Sequence, residues 1–325
     1  MTKTLNWGIL GAAHFAKNFI LPAIMVSKGN NLAALATRDP EKAAPFQTVQ
    51  PSLRIYNDYD SLLEDDGIDA VYIPLPNTLH VEWTKKAVAA GKHVLTEKPI
   101  VMQAQEIDDL IALRDASGLL IAEAYMIVHH PQWHYAKKLY ESGVIGTLWA
   151  VDSVFSYNNS ADPSNIRNRP ETGGGSLPDI GVYTFGSARF VTGEEPTKIL
   201  SADITWENHV DVWSHIRADF PSFRFSSTTS MRLAPRQEVT FHGEKGFIKL
   251  NTPFNTQVFS QAEVALWQSD MIVETKRFPS DNHYVLQFEN FQNSVFNGTP
   301  YPCSLEFSQG TQCMIDMSFA KAAEE

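Results

Sequence analysis

Apolar residues in the first third of the chain fall in short continuous runs, at 5–10, 32–37, 70–75, 93–96 and 119–122, with longer stretches of mixed polarity between them. An unbroken apolar run this short suits a strand buried on both faces. The intervening spacing predicts helices over 13–28 (interrupted by Pro22), 40–46, 80–90 and 104–117. Strands alternating with helices imply parallel crossovers and a doubly wound sheet.

Past about residue 122 the period changes. Strands are predicted at 148–157, 198–206, 212–220, 223–231, 238–241, 247–250 and 257–267. Ile216, Ala218 and Phe220 alternate with Arg217 and Asp219, the period of two that marks an antiparallel sheet with one buried face. Helical patterns at 284–296 and 304–323 close the chain, split by Asn297-Gly298-Thr299-Pro300. The expected organisation is an α/β domain with a doubly wound sheet over 1–122. An α+β domain with a large, mostly antiparallel sheet follows over 123–325, its last helices packing back on the first domain.

Composition narrows the function. Of 325 residues 43% are apolar and 19% charged, which supplies a core and excludes general disorder. The net charge of −11 repels phosphate backbones, so no nucleic-acid partner is expected. Cys303 and Cys313 make neither a disulfide framework nor zinc spacing, so no metal is expected. No apolar run reaches 18 residues, which argues against a membrane span. His14, Lys17 and Asn18 break the N-terminal apolar run and fit a strand–turn–helix better than an export signal, so the expected location is cytoplasmic.

That strand–turn–helix carries candidate chemistry. Gly11, Ala13 and Ala16 match the spacing G-x-G-x-x-G/A, with Ala13 in place of the second glycine. The turn Gly11-Ala12-Ala13-His14-Phe15 would place helix N–H groups under a pyrophosphate. The second strand ends in Thr37-Arg38-Asp39. A guanidinium there can fork onto a 2′-phosphate, which favours NADP over NAD, and Lys42 adds positive charge nearby. Asp39 is read as the cap of the next helix.

Two more segments bring a resemblance into view: Pro74-Leu75-Pro76-Asn77-Thr78-Leu79-His80 and Glu97-Lys98-Pro99. With Glu123-Ala124-Tyr125-Met126, His129-His130-Pro131-Gln132, Asn165-Ile166-Arg167 and Gly173-Gly174-Gly175…Asp179…Tyr183, they resemble the glucose-fructose oxidoreductase/inositol dehydrogenase/rhizopine catabolism (Gfo/Idh/MocA) family over nearly the whole chain. The likeness is greatest to its glucose-fructose oxidoreductase and dimeric dihydrodiol/D-xylose dehydrogenase branch. The resemblance implies an NAD(P)-dependent dehydrogenase or reductase for a hydroxyl or carbonyl carbon of a sugar, sugar derivative or cyclic diol. It also implies a homodimer or homotetramer through the second sheet. Within the family's range stand two alternatives, an NAD-dependent glycosidase and a non-enzymatic nucleotide-sensing regulator.

By the same resemblance Lys98, Asp179 and Tyr183 form the catalytic group. Asp179 and Tyr183 lie four apart and would share one helix face, with the glycine run as a flexible approach. A nearby lysine cation would lower the phenol pKa enough for Tyr183 to move the substrate proton, while Lys98 is itself an alternative acid/base. Asp179 would bond a substrate hydroxyl or keep Lys98 oriented. Leu75, Pro76, Asn77, His80, Glu97 and Lys98 are expected at the cofactor, and Lys98, His129, Arg167, Asp179 and Tyr183 at the substrate, with a structural role as the alternative for His80 and His129. Ile127-Val128 stand where sugar-oxidising relatives have an aromatic and a basic residue.

Overall fold

The computed structural model describes residues 3–256 and 258–324. Six strands, β1 (Leu5–Leu10), β2 (Asn30–Ala36), β3 (Arg54–Tyr56), β4 (Ala70–Ile73), β5 (His93–Thr96) and β6 (Ile121–Glu123), form a sheet in the order β3-β2-β1-β4-β5-β6. Every pairing in it is parallel. The order reverses at β1, and in sheets of this kind ligands bind beyond the carboxyl ends of the strands at that reversal. β4 is buried at every position and β5 at all but its first, as the unbroken apolar runs require. Helices α1 (Leu21–Val26), α2 (Pro40–Val49), α3 (Tyr59–Leu63), α4 (His80–Ala89) and α5 (Glu106–Ser117) accompany these strands. Leu62, Val71, Ile73, Val94, Ile107 and Leu110 meet in the core they enclose. Pro22 does not break the first helix. A π-helical turn, Ala16–Ile20, leads into α1 and leaves Pro22 in its opening turn, where a missing N–H removes no helical bond.

The second sheet contains β7 (Leu148–Asn158), β8 (Lys198–Glu207), β9 (Val210–Asp219), β10 (Arg224–Ser230), β11 (Arg232–Gly243), β12 (Phe247–Leu250), β13 (Ala262–Gln268) and β14 (Met271–Phe278). Their order is β14-β13-β12-β11-β7-β10-β9-β8, and only β7 with β10 is parallel. Helices α6 (Pro131–Glu141) and α7 (Val182–Thr192) lie against this sheet. On alternate positions Asp152 and Arg217 are exposed.

The sequence predicts one strand fewer here. β14 is exposed at all but its last position and so lacks an apolar rhythm. β11 begins at Arg232 rather than 238, its exposed first part running through a register shift and past Pro235. The strand predicted over 257–267 is observed from Ala262, and Gln257 lies outside the described residues. β3, α3 and α6 also go unpredicted.

The chain forms two compact units: Met1–Val101, Gln105–His129 and Asn282–Ser308 in the first, and Met102–Ala104, His130–Asp281 and Gln309–Glu325 in the second. The first therefore includes α8 (His283–Asn297), and α9 (Leu305–Ala322) ends the helices. Trp7 of β1 meets Phe288 edge-on and Phe291 at a tilt, each with centroids 4.9 Å apart. Among the described residues no helix is long and apolar enough to cross a membrane.

Candidate active site

In the first unit β1 runs into Gly11, whose φ of +104° favours glycine and whose N–H bonds Ala36 O at 2.9 Å. A Cβ there would stand 3.0 Å from Leu75 Cδ2. Ala12 and Ala13 follow, and Lys17 N–H closes the first helical bond on Ala13 O at 3.1 Å. The N–H groups of His14, Phe15 and Ala16 thus have no acceptor within the helix, the arrangement that receives an anion. The Phe15 ring packs on Phe19 and Tyr284, centroids 5.2 and 5.6 Å away, so its backbone is the part available to a ligand. A tight backbone cradle at Gly11, opening onto these donors, fits a dinucleotide.

Beyond β2, Thr37 is buried and its Oγ1 accepts Asp39 N–H at 3.2 Å. Asp39 Oδ1 accepts the N–H groups of Glu41 (3.0 Å) and Lys42 (3.4 Å), capping α2. Arg38 is left exposed at the strand end, while Lys42 Nζ is drawn to Asp39 Oδ2 at 3.7 Å. Tyr59, which no sequence motif singles out, has its hydroxyl 3.4 Å from the Cβ position of Gly11 and its ring edge-on to Trp83. Burial raises the Tyr59 pKa and the charge of Arg38 opposes the rise.

After β4, Pro76 opens a 3-10 turn over Asn77–Leu79, with Leu79 N–H on Pro76 O at 2.9 Å. His80, expected at the cofactor or in a structural role, is fully buried. Its Nδ1 lies 2.7 Å from Pro99 O and its Nε2 2.8 Å from Leu75 O, so the ring joins the turns after β4 and β5. Burial lowers its pKa. The Glu97 carboxylate accepts the Tyr72 hydroxyl and, at 3.2 Å, the Lys98 N–H. Glu123, also buried, accepts Ile100 N–H at 2.9 Å and Ser308 Oγ at 2.7 Å. The backbone on both sides of the half-buried Lys98 is therefore pinned. His129, expected at the substrate, is buried, with Nδ1 2.8 Å from the Asn290 amide and its ring against Tyr301. His130 belongs to the second unit. Its Nδ1 accepts Gln132 N–H at 3.1 Å to cap α6, and burial lowers its pKa to about 4.

In the second unit the glycine run is not a flexible approach. A Cβ on Gly174 would lie 2.4 Å from Arg167 O, and one on Gly175 (φ +134°) 2.0 Å from Asp211 Oδ1. Here glycine lets the chain cross itself at close range. Buried Asp211 accepts Ser176 Oγ and Leu177 N–H, each at 2.7 Å, and Ser176 continues through Thr229 to Ser214 at 2.9 and 2.8 Å. Burial raises the Asp211 pKa to about 7, against those two hydrogen bonds.

These contacts fix a π-helical turn, Leu177–Gly181, that carries Asp179 into α7. Asp179 Oδ1 lies 2.9 Å from Arg167 Nε, and Oδ2 accepts the Tyr157 hydroxyl at 2.6 Å. Both carboxylate oxygens, expected on a substrate hydroxyl or on Lys98, thus have protein partners. Tyr183, buried one turn later, has its ring centroid 5.7 Å from both Phe155 and Phe254. Tyr157 is missed by the motifs; its one signal is a polar-tipped residue on the side of β7 that carries buried Val151, Ser153 and Phe155. Among the described residues no group of three or more His, Cys, Asp or Glu is placed to hold a metal ion.

The sequence pattern of the Gfo/Idh/MocA oxidoreductase family with its NAD-binding Rossmann fold matches residues 5–125, and that of the GFO/IDH/MocA C-terminal domain matches residues 133–249. An uncharacterised oxidoreductase of Rhizobium meliloti is 36% identical over 318 residues, covering 96% of this chain and 95% of that one. The D-xylose 1-dehydrogenase (NADP(+)) 2 of Haloferax volcanii is 30% identical over 319 residues, covering 98% and 97%. A crystal structure of a 3-ketoreductase from Actinomadura kijaniata with NADP and TDP-benzene superposes with a TM-score of 0.91 at 28% identity, covering 98% of each chain. The chain belongs to the Gfo/Idh/MocA family and is an NAD(P)-dependent oxidoreductase.

Proposed function

We propose that the protein is an NADP-dependent oxidoreductase acting on a hydroxyl or carbonyl carbon of a sugar, sugar derivative or cyclic diol. The observation that carries the cofactor choice is Arg38, exposed at the end of β2 while Asp39 is turned into the cap of α2. The xylose dehydrogenase relative is named for NADP, and the 3-ketoreductase structure contains it together with a nucleotide-linked ligand. When bound, the nicotinamide accepts or donates a hydride at the substrate carbon.

The residues of the chain do the rest. The Gly11 turn and the N–H groups of His14, Phe15 and Ala16 receive the pyrophosphate. Thr37 and Arg38 receive the 2′-phosphate. Pro76 and Asn77 hold the nicotinamide end. Tyr183 takes the proton from the substrate hydroxyl or returns it to the carbonyl, and Lys98 supplies the supporting positive charge.

The test is titration with NADPH and NADH, then absorbance at 340 nm against aldoses, ketoses, nucleotide-linked keto sugars and diols. NADPH preference with its oxidation by one class of carbonyl compound is expected. Arg38→Ala should weaken NADPH roughly 10–100-fold, the worth of one charge-assisted contact, and leave NADH nearly unchanged. Equal losses for both nucleotides would overturn the 2′-phosphate assignment. Retained NAD with glycoside cleavage and no net reduction would replace the reading with a hydrolase.

A further inference from the structure

The second unit gathers charge around Asp179 that proton transfer by Tyr183 does not account for. Arg167 leaves a short turn, Ile166–Asn168, held where Asn165 Oδ1 accepts Arg167 N–H at 3.1 Å. Gly174 crosses the Arg167 carbonyl too closely for a side chain to intervene. With its Nε on Asp179 Oδ1, the Arg167 side chain still keeps 38% of its surface exposed. On the opposite side of the carboxylate stands the Tyr157 hydroxyl. Burial, and then the adjacent charge of Asp179, push the Tyr157 phenol well up, so it remains a donor at neutral pH. The other cation acting on Tyr157 is Arg232, itself paired with Glu207 at 2.8 Å. Tyr183 follows Asp179 by one helical turn, and the charge of Arg167 interacts with it as well as with Asp179 and Tyr157. The rings of Phe155 and Phe254, which carry no charge, pack against the Tyr183 ring.

We propose that Tyr157, Asp179 and Arg167 form a clamp that sets the acidity of Tyr183, with Asp179 a positioning residue rather than a ligand for the substrate. This rests on Tyr183 as the residue that moves the proton. With the pair intact, the anion of Asp179 and the cation of Arg167 largely cancel at the phenol. Removing Arg167 leaves an uncompensated anion, which disfavours the phenolate. Removing Asp179 leaves an uncompensated cation, which favours it. Tyr157 holds the carboxylate in the orientation that keeps the two balanced.

The two deletions therefore have opposite signs, which a merely structural role does not produce. The full-length protein is labelled with 13Cζ-tyrosine, and the Tyr183 resonance is identified by its loss in Tyr183→Phe. In Arg167→Met its titration midpoint should rise by about one pH unit, a tenfold fall in phenolate at fixed pH. In Asp179→Asn it should fall by a similar amount, and the double variant should return close to the parent value. Tyr157→Phe, which keeps both charges, should move it less than either. Midpoints that shift in the same direction in the two single variants, or do not move, overturn the clamp. If Arg167→Met does not fold, as read by near-ultraviolet circular dichroism, Arg167→Gln replaces it with the same expected shift. No substrate is needed, so the tests separate. Absent NADPH binding by the parent protein defeats the functional reading alone, whereas unmoved midpoints with intact binding defeat the clamp alone.

Discussion

Lys98 and Tyr183 are held in place by different means. Around Lys98 the grip is on the main chain: Glu97 on its own N–H, His80 on the carbonyl of Pro99 and Glu123 on the N–H of Ile100. Around Tyr183 it is on side chains: the rings of Phe155 and Phe254, and the Tyr157–Asp179–Arg167 group one turn earlier. A main-chain grip fixes where a long cationic side chain starts from its strand end. A side-chain grip fixes the phenol itself and the field it sits in. The first suits a residue that supplies charge, the second one whose proton affinity must be set.

The largest expected effect that would break this contrast comes from Tyr183→Phe, which keeps the ring and its packing. Turnover should fall roughly 10²–10⁴-fold while NADPH affinity is unchanged; near-normal turnover would move proton transfer to Lys98 or water. Gly175→Ala comes next. It drives a methyl into Asp211 Oδ1 at a φ of +134°, and urea unfolding should show a loss of about 3 kcal/mol. Gly193→Ala, where nothing lies within 4 Å, should lose only about 1 kcal/mol for its positive φ.

Asp211→Asn sharpens the comparison through pH. Burial raises the folded pKa to about 7, above the ordinary carboxylate value, so the folded state holds this proton more tightly. Its stabilising contribution is whole below about pH 4 and is lost as pH rises through about 7. Asparagine removes that loss. Between pH 4.5 and 8 the unfolding free energy of the variant relative to the parent should improve by about 3 kcal/mol. Glu123→Gln tests the grip around Lys98. It keeps an acceptor for one of the two donors, Ile100 N–H and Ser308 Oγ, and should lower stability by about 1–2 kcal/mol, with hydrogen exchange at Ile100 accelerated.

The same contrast explains what could be read from the residues alone. Glu97-Lys98-Pro99 and the Gly11 turn are contiguous, each made by one strand end and the few residues after it, so a short motif carries them. The surroundings of Tyr183 come from β7, the 166–168 turn, the π-helical turn and Phe254, which no local pattern joins. That is why Tyr157 goes unnoticed and why Asp179 is expected on a ligand. Glycine at 173–175 signals an unusual backbone but not its reason, because a close crossing and a mobile loop call for the same residue. His80 leaves a cofactor and a structural role both open from its place beyond a strand end, and it is burial that shows its ring between two carbonyls. In the sheets, apolar rhythm finds the strands that bury a face, whereas β14, exposed almost throughout, has none to find.

The first unit is not continuous along the chain, since Asn282–Ser308 return to it after the long His130–Asp281 stretch of the second unit. Trp7, Phe15 and Phe19 meet Phe288, Phe291 and Tyr284, which belong to that late segment. During synthesis from the N-terminus, the six parallel strands are therefore complete while one of their apolar sides is still uncovered. At ordinary elongation rates that interval lasts on the order of ten seconds. For that time the nascent nucleotide-binding half offers bare aromatic surface to the ribosome exit and to any chaperone stationed there, and its closing helix arrives only after residues 130–281 have been made.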